Sequence, residues 1–284
     1  MVYSQASDHH DRCIIKTLND ILDAGARVLW VAAHPDDECF SAGILAYSSL
    51  RLGNPLHLLV LTRGEGGEHP KKLQDGRSLG DIRQGEMEAV AAGYKATLEM
   101  ERYFNASLPV TSFPMRHELG RMWAERSDPI RRVAETIRRF KPDVLLTFPP
   151  EYGATGHPEH QLASRFATVG LRLAAEDTPG LDGEPHRVAH CYYLLHRYKG
   201  LKMLGMPMDP REPTETFNAR QDCVDGKSCL AVMSELTRLH ETQKNDMRAL
   251  RIAARFMKVA YLHKVDPFTE IHDPYEEHLV RGMG

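Results

Sequence analysis

The chain has 284 residues, of which 42% are hydrophobic and 26% are charged, and its formal net charge is −3. This composition is ordinary for a globular protein with a sizeable core. Acidic and basic residues are mixed along the chain, without the basic stripe that indicates a nucleic-acid or anionic membrane surface. We therefore expect a small-molecule partner, and neither nucleic acid nor a membrane.

Cysteine usage and the N-terminus bear on the compartment. The five cysteines are odd in number, scattered and without a CxxC pair, which is typical of a reducing environment. The N-terminal "MVYSQASDHHDR" lacks the basic and then apolar layout of a secretory signal. No apolar stretch approaches the roughly 20 residues of a membrane span. These features predict a cytoplasmic protein.

Apolar runs alternate with helical patterns along the chain. The runs that predict strands are 27–33, 56–62, 97–101, 143–148 and 187–196. The patterns that predict helices are 41–51, 81–93, 128–140, a segment from His157 onward, and 228–257. Near-continuous apolar strands that alternate with helices predict an α/β fold: a Rossmann-like, doubly wound, mainly parallel sheet with helices on both faces.

The organisation of the chain follows from the same patterns. The stretch 203–222 is rich in proline and polar residues, which predicts a long loop or lid. We find no internal repeat and no low-complexity segment. The sequence predicts one domain over 1–284, with a core at about 27–200 and a C-terminal extension at about 201–284 that contains a loop or lid and a helix.

Polar clusters follow three of the predicted strands. The pentapeptide "HPDDE" (34–38) follows the first, Arg63 follows the second, and 149–160 follow the strand at 143–148. In doubly wound sheets, ligands bind outside the carboxyl ends of the strands. We therefore expect these clusters to meet at one rim of the sheet.

The first cluster is typical of a metal site. His34 and Asp37 are three residues apart and can both reach one ion if the turn curls inward. A divalent cation would also offset the repulsion among Asp36, Asp37 and Glu38. The alternative is a solvated acidic turn that caps the following helix, because carboxylates favour helix N-termini.

The second cluster is "GATGHPEH" (153–160). His157 is placed to be an N-cap, Pro158 is favoured at the first helical position, and His160 lies one turn further on. Together with His34 and Asp37, His160 would complete the three protein ligands of a catalytic zinc ion, with one position left for water. Imidazole and carboxylate ligands accept Zn²⁺ or Fe²⁺, so the metal stays open.

The order of these motifs resembles a known family. "AAHPDDE", "LTRGEGGE", "RQGEMEAVAAG" and "PDVLLTFPPEYGATGHPEH" follow one another as in the PIG-L/LmbE-like deacetylases, and the resemblance covers roughly residues 27–280. "LHETQ" (239–243) and "EEHLVRG" near the end also look like closing segments of that family. The resemblance implies a zinc-dependent hydrolase that removes acetyl, or sometimes larger acyl, groups from amino sugars, typically N-acetylglucosamine conjugates.

Carried over position by position, the resemblance implies roles for individual residues. His34, Asp37 and His160 would bind zinc. Asp36 would be the general base, and His157 would stabilise the oxyanion and help the amine to leave. We expect His157 to stabilise the oxyanion in its protonated form. The proton for the amine can come from either Asp36 or His157.

Other positions have weaker signals. Arg63 matches a family position that contacts the substrate, but it can instead pair with Glu65 or Glu68. Arg83 is three residues before Glu86 on a predicted helix, where the two can form a pair. Some deacetylases of the family have a tyrosine at the position of Thr155, so no tyrosine is assigned to the carbonyl here.

Three hypotheses for function remain open. The leading one is a zinc-dependent hydrolase that removes an N-acetyl group from a GlcNAc-containing small molecule or conjugate. The second is an amidase that cleaves a larger acyl group from an amino-sugar thiol conjugate, and the third is a non-catalytic metal- or sugar-binding module. The pocket would distinguish them, and we expect its lining from 64–80, 104–120 and 200–222. A homo-oligomer also stays open.

Overall fold

A central sheet of eight strands organises the protein. The structure is a computed structural model that describes residues 16–23, 25–67, 76–197, 208–270 and 272–277. The strands of the sheet are β1 (Lys16–Thr17), β2 (Val28–Ala32), β3 (Leu56–Val60), β4 (Thr97–Met100), β5 (Val144–Thr147), β6 (His190–Leu195), β7 (Glu215–Asn218) and β10 (Val259–Val265). Between the last two, β8 (Asp222–Val224) and β9 (Lys227–Ser228) form a separate hairpin.

The strand order is β1-β7-β10-β6-β5-β2-β3-β4. Neighbouring strands are parallel, except that β10 is antiparallel to both β6 and β7. The chain passes from β2 outward to β3 and β4 on one side, and then returns to β5 and β6 on the other. This order confirms the predicted doubly wound, mainly parallel sheet, and it places a topological switch point between β2 and β5.

Helices cover both faces of the sheet. They are α1 (Ile44–Ala46), continued by a π-helical turn at Tyr47–Arg51, α2 (Leu79–Gly93), α3 (Arg116–Arg126), α4 (Pro129–Phe140), the short kinked α5 (Gly153–Gly156), α6 (Pro158–Ala175), α7 (Cys229–Leu236) and α8 (Lys244–Ala254). In the part of the chain that the structure describes, no helix is both long and apolar enough to cross a membrane.

Alternate residues of the central strand enter two hydrophobic cores. Trp30 of β2 packs in the core on one face, with apolar residues of α2 and α7. Leu29 and Val31 pack in the core on the other face, with α3, α4 and α6. Since side chains in a strand point alternately to opposite faces, a strand buried on both sides must be apolar throughout. This is why "VLWVA" has no polar residue.

The helix predicted over 41–51 begins later than expected. A 3-10 helix at Asp37–Ser41 comes first, and α1 starts only at Ile44. Ala42 and Gly43 lie between them with φ values of 53° and 89°, so the backbone turns through left-handed conformations there. This turn redirects the chain from the rim of the sheet onto its face.

The region 228–257, predicted as one long helical stretch, is two helices. Two 3-10 turns, at Thr237–Leu239 and Glu241–Gln243, separate α7 from α8. His240 between them has φ −78° and ψ 70°, outside the helical region. Its side chain is buried against Glu38, and this contact with the core of the site interrupts the helix.

The predicted loop at 203–222 also needs correction. Residues 198–207 lie outside the described part, but 215–218 form β7, and β10 follows near the end of the chain. Both strands were missed because β7 is only four residues long and β10 is partly exposed, which weakens their apolar signal. The division into a core and a C-terminal extension stays a prediction, although β7 and β10 belong to the same sheet as β2.

Candidate active site

The two predicted motifs lie together at the switch point of the sheet. His34 follows the end of β2 by two residues, and His157 and His160 lie at the start of α6, after β5. Because β2 and β5 are adjacent and parallel, their carboxyl ends meet at the same rim. The expectation that these two clusters converge is therefore met.

The turn after β2 is held by its own acidic side chains. Asp36 has φ 106° and ψ −17°, a left-handed conformation that aspartate tolerates better than most residues. Its backbone N–H donates to Glu38 Oε2 at 3.1 Å. Asp37 Oδ2 accepts the backbone N–H groups of Ala33 at 3.0 Å and His34 at 2.9 Å. The Asp37 carboxylate is thereby folded back over the end of the strand.

A buried carboxylate orients His34. Its Nε2 lies 2.5 Å from Glu159 Oε2, and Glu159 also accepts hydrogen bonds from Asn105 Nδ2 at 2.6 Å and the Ala106 backbone N–H at 2.7 Å. Since a carboxylate accepts hydrogen bonds, Nε2 carries the proton of the imidazole. The lone pair of His34 is then on Nδ1.

A backbone carbonyl orients His160 in the same way. Its Nδ1 donates to the Gly153 carbonyl oxygen at 2.8 Å, so its lone pair is on Nε2. This Nε2 lies 3.0 Å from Asp37 Oδ1 and 3.1 Å from His34 Nδ1. Three acceptor atoms thus converge on one point.

The three converging atoms fit a metal ion. Zinc bonds of about 2.0–2.2 Å in a tetrahedron separate neighbouring ligand atoms by about 3.3–3.6 Å. The separations here are 3.0 Å and 3.1 Å from His160 Nε2 to Asp37 Oδ1 and His34 Nδ1, while His34 Nδ1 lies 3.7 Å from the other oxygen of Asp37, Oδ2. Two imidazole lone pairs this close repel each other unless a proton or a metal ion lies between them. Metal-bound histidines usually have the other nitrogen hydrogen-bonded, as both do here.

The electrostatics of His34 favour positive charge at this point. Burial lowers the pKa of His34, but the hydrogen bonds and charges of Asp37 and Glu159 outweigh burial and raise the pKa to about 10. The same carboxylates would stabilise a divalent cation bound at Nδ1.

A third imidazole, that of His157, joins the cluster. His34, His157 and His160 each offer a ligand atom within 4.8 Å of the others, which defines a candidate metal site. His157 is the N-cap of α6, as predicted, because its Nδ1 accepts the Glu159 backbone N–H at 3.3 Å. That contact leaves the ring proton on Nε2.

The protonation expected for His157 is wrong. Burial, together with the neighbouring His160 and His34, lowers the pKa of His157 well below its ordinary value of 6.5. Its imidazole is therefore neutral at neutral pH, and it can offer a hydrogen bond from Nε2 but no positive charge. Its ring stacks on His160, with centroids 4.8 Å apart.

Asp36 is not one of the converging atoms' residues, and its carboxylate pairs with a buried arginine. Its Oδ2 lies 2.9 Å from Arg83 Nη2, and Arg83 also donates to the carbonyls of Pro35 at 2.5 Å and Gly64 at 3.1 Å. Burial raises the pKa of Asp36 to about 6, although Arg83 works in the opposite direction. A carboxylate that sits in the cavity with a fixed partner on one side is suited to accept a proton on the other.

The expected pair of Arg83 and Glu86 does not form. Arg83 reaches Asp36 instead, and Glu86 accepts hydrogen bonds from the backbone N–H of Thr242 at 2.8 Å and its hydroxyl at 2.7 Å. Helix α2 therefore supports the site with one side chain and fastens the turn before α8 with the other.

Glu38 does not point at the metal-binding atoms. Its Oε1 lies 2.7 Å from His240 Nε2, and both side chains are fully buried. Burial disfavours the charged imidazole, but the charge of Glu38 outweighs burial and raises the pKa of His240. This pair ties the turn after β2 to the segment between α7 and α8.

Arg63 lies outside the cluster. Its Nε donates to Glu65 Oε1 at 2.7 Å and its Nη1 to Asp81 Oδ1 at 2.6 Å. It does not line the cavity described below, as far as the described residues define that cavity. The structure thus shows the alternative, pairing with Glu65, while the substrate-binding role of Arg63 stays a prediction.

A cavity of about 240 Å³ opens above the cluster. His34, Asp36, Asp37, His157 and His160 line it on one side, together with Arg83, Asn105 and the glycines at 66 and 67. Apolar side chains also line it, among them Phe40, Leu108, Phe113 and Met247. This volume lies just below the range of about 300–1,000 Å³ typical of ligand pockets, which suits a small group such as one sugar ring.

The predicted lining segments are partly correct. Segments 64–80 and 104–120 both contribute to the cavity, but the described residues of 200–222 do not. Their place is taken by Gln243, Asp246 and Met247, at the start of α8.

Thr155 lies beside one of the histidines but outside the cavity. Its Oγ1 is 3.4 Å from His160 Nδ1, and it does not line the described cavity.

Sequence reasoning missed three residues that support the site. Glu159 stands between the two histidines of "GHPEH", and a carboxylate next to predicted ligands is a signal for an orienting partner. His240 is part of the "LHETQ" segment, which had no assigned role. Asn105 has no signal of its own, since its contact with Glu159 depends on the packing of the loop after β4.

The fold and the site define a class of protein: a doubly wound α/β protein with a candidate metal centre at its switch point. Residues 29–170 match the family described as PIG-L, GlcNAc-PI de-N-acetylase. The chain belongs to this family, which confirms the resemblance drawn from the motifs.

Individual proteins agree with this assignment. The chain is 28% identical over 246 residues to a 1D-myo-inositol 2-acetamido-2-deoxy-alpha-D-glucopyranoside deacetylase from Thermomonospora curvata, an alignment that covers 78% of this chain and 82% of the relative. Its fold is similar to that of an N,N'-diacetylchitobiose deacetylase from Pyrococcus horikoshii, with a TM-score of 0.60, 15% identity and 88% of each chain covered.

The fold alone does not identify the reaction. A 4-carboxy-2-hydroxymuconate hydratase from Pseudomonas putida shares it with a TM-score of 0.54 and 18% identity, over 86% of this chain and 97% of that one. These structural likenesses confirm the α/β fold, and the chemistry must be argued from the site.

Proposed function

We propose that this protein is a metal-dependent hydrolase that removes the N-acetyl group from a GlcNAc-containing small molecule or conjugate. Deacetylation of an amino sugar is the activity that the family description and the Thermomonospora curvata relative share. The observation that carries the proposal is the convergence of His34 Nδ1, Asp37 Oδ1 and His160 Nε2 in one cavity with a further carboxylate, that of Asp36, which Arg83 holds.

The proposed mechanism assigns one task to each residue. His34, Asp37 and His160 would hold a divalent ion, which would lower the pKa of water and polarise the amide carbonyl. Asp36, held by Arg83, accepts a proton from the attacking water. His157 donates a hydrogen bond from Nε2 to the carbonyl oxygen as negative charge develops there, a contact typically worth about 3 kcal/mol. Asp36 then delivers its proton to the departing amine.

We propose Zn²⁺ as the ion and keep Fe²⁺ as an alternative, because two imidazoles and one carboxylate accept both. The cavity of about 240 Å³ supports one sugar ring with its acetamido group as the part that is enclosed. A larger acyl group on an amino-sugar thiol conjugate is the second candidate. A non-catalytic binding module is less well supported, because metal binding alone requires neither Asp36 nor His157. A cytoplasmic location stays a prediction.

Release of a primary amine is the test. Protein loaded with zinc, loaded with ferrous iron, or treated with a chelator is incubated with N-acetylglucosamine conjugates, including the GlcNAc–inositol compound named for the relative. We expect chelator-sensitive release, and the preferred conjugate identifies the substrate class. If the folded, metal-loaded protein releases amine from none of them, the proposal is wrong, and release from longer N-acyl conjugates would then favour the amidase.

A further inference from the structure

A second cavity, of about 790 Å³, lies on the C-terminal part of the protein. It is bounded by Arg220, two residues after β7, by helix α7 and the turn that follows it, and by helix α8. Five arginines line it: Arg220, Arg238, Arg248, Arg251 and Arg255. Among the described residues that line this cavity, none is acidic. We call it the arginine cavity.

The arginines of this cavity lack the partners that other arginines of the protein have. Within the described ranges, none of the five forms an ion pair with a carboxylate, whereas Arg63, Arg83 and Arg211 each do. The Nη1 atom of Arg251 is buried and has no hydrogen-bond partner in the described part of the chain. An unpaired guanidinium nitrogen out of water is costly, so an arginine in this state needs a reason.

One of the arginines is held in place by the backbone. Arg220 Nε donates to the Met257 carbonyl at 3.1 Å, and its Nη2 donates to the Arg255 carbonyl at 2.5 Å. These bonds connect the end of β7 to the end of α8 and fix the position of the guanidinium. Backbone carbonyls, rather than a carboxylate, thus hold the guanidinium of Arg220 at this wall of the cavity.

The charges lie close enough to affect each other. Burial, and then Arg238 and Arg248, lower the pKa of the Arg251 guanidinium below its ordinary value. The formal net charge of the whole chain is −3, so the cluster is not a consequence of a basic protein. Like charges gathered in one concave site repel one another, and a bound anion would offset this repulsion.

We propose that the arginine cavity binds a phosphorylated small molecule through a diphosphate or a similar cluster of phosphate oxygens. Guanidinium groups bind phosphate in a bidentate manner, and several are needed for a group with more than one negative charge. The volume is that of a pocket for a small ligand. Leu230, Ala231 and Ile252 give it an apolar wall for the remainder of the molecule.

The arginine cavity is separate from the proposed catalytic cavity, and the two share no lining residue in the described part of the chain. Helix α8 contributes to both, since Asp246 and Met247 line the catalytic cavity while Arg248 and Arg251 line the arginine cavity. The inference about phosphate does not depend on the proposed reaction.

Titration calorimetry of the full chain with inorganic pyrophosphate and with ADP tests the proposal. We expect saturable binding of at least one of them. Arg248→Ala/Arg251→Ala should weaken it at least about tenfold, because each charge-assisted hydrogen bond contributes roughly one such factor. The control is Arg121→Ala/Arg126→Ala, which removes two exposed arginines from α3 and should change the affinity less than about twofold.

The remaining outcomes are also decisive. Binding of ADP but not of pyrophosphate would identify a nucleotide as the source of the phosphate group. Binding of both would show that a free diphosphate is sufficient. Equal weakening by the two double variants would show attraction by overall charge alone, and the proposal would fail. It would fail as well if neither compound bound while vesicles containing phosphatidylglycerol did, since the surface would then serve a membrane. Circular dichroism of both variants confirms that they are folded.

Discussion

Each histidine of the candidate metal centre has one nitrogen engaged in a hydrogen bond, and this decides which atom remains free. Glu159 engages Nε2 of His34, and the Gly153 carbonyl engages Nδ1 of His160. The N-cap contact engages Nδ1 of His157. As a result, the first two histidines direct lone pairs at one point, while His157 has an N–H to donate. Identical side chains thus acquire different tasks from their partners.

The residue whose role is easiest to separate from metal binding is Asp36. Its carboxylate interacts with Arg83, whereas Asp37 accounts for the carboxylate oxygen next to His160. Asp36→Asn keeps the shape and tolerates the left-handed backbone, but it cannot accept a proton. We expect turnover to fall by about 10²–10⁴-fold while the metal content of the purified protein is unchanged, as measured by amine release and elemental analysis.

Asp37→Asn is the matched control for this prediction. It makes the same chemical change one residue later, and we expect it to lose both metal and activity. If Asp36→Asn lost its metal as well, Asp36 would have to be a ligand, and the assignment of a separate base would be wrong.

At the scale of elements, the turn after β2 depends on how closely α1 approaches α7. A Cβ atom added to Gly43 would lie 2.5 Å from the Cys229 backbone carbon, and Gly43 has φ +89°. Gly53 also has a positive φ, +72°, but an added Cβ would meet nothing within 4 Å. The first position combines backbone strain with a backbone clash, and the second has the strain alone.

These two glycines give a prediction about the packing of helices. We expect Gly53→Ala to lower the free energy of unfolding by about 1–2 kcal/mol, the cost of the left-handed conformation. Gly43→Ala should cost about 1–3 kcal/mol more, because α7 must move away. Denaturant unfolding of both variants measures the difference. Equal costs would show that α7 yields freely and that the close approach is not needed.

A polar cluster joins the edge strand β4 to helix α4. Glu99 accepts hydrogen bonds from Thr136 at 2.8 Å and Arg132 at 3.2 Å, and it pairs with Arg139. Burial opposes ionisation of Glu99, but the hydrogen bonds from Thr136 and Arg139 and the nearby His57 outweigh it. They lower the pKa of Glu99 below its ordinary value of 4.5.

The direction of this shift gives a pH prediction. A carboxylate with a lower pKa in the folded chain than in the unfolded chain stabilises the fold above the unfolded pKa, and this contribution disappears as the pH falls through the folded pKa. We expect Glu99→Gln to lower the free energy of unfolding on the order of 1 kcal/mol at about pH 7, with a difference that shrinks below about pH 4.5.

Urea unfolding of the chelated protein at several pH values measures this difference. Glu125→Gln, on the exposed surface of α3, is the control and should show no pH-dependent difference. A Glu99→Gln difference that stays constant down to about pH 3 would mean that the carboxylate charge does not stabilise the contact of β4 with α4.

For the whole molecule, the candidate metal centre joins segments that are distant in the chain. His34 and Asp37 follow β2, while His160 belongs to α6 and lies 126 positions after His34. An ion bound to all three should therefore stabilise the folded state against the unfolded chain. At a concentration about 100 times Kd, this stabilisation is about 2.7 kcal/mol.

We expect a chelator to lower the Tm by roughly 5–10 °C, given the size of the chain, and added zinc to restore it. Differential scanning calorimetry measures the shift. Asp37→Asn should show no response to zinc, because the site has lost a ligand. A zinc-dependent rise in Tm that is equally large in this variant would place the stabilising ion elsewhere.

The sequence by itself determined the elements that follow from local pattern. Apolar runs such as 28–32 and 144–147 predict strands buried on both faces, and proline and glycine mark where helices begin or turns occur. Because parallel strands bring their carboxyl ends to one rim, the meeting of "HPDDE" with "GHPEH" was also predictable. The spacing of His34, Asp37 and His160 then indicated a metal site.

Only the tertiary structure decided which polar groups meet. Glu38 pairs with His240 across 202 positions of sequence, and Arg83 reaches Asp36 across 47. The same packing excludes Arg63 from the described lining of the catalytic cavity and makes His157 neutral. A local pattern specifies which face of an element is buried, whereas a partner for a buried charge depends on what the rest of the chain packs against that face.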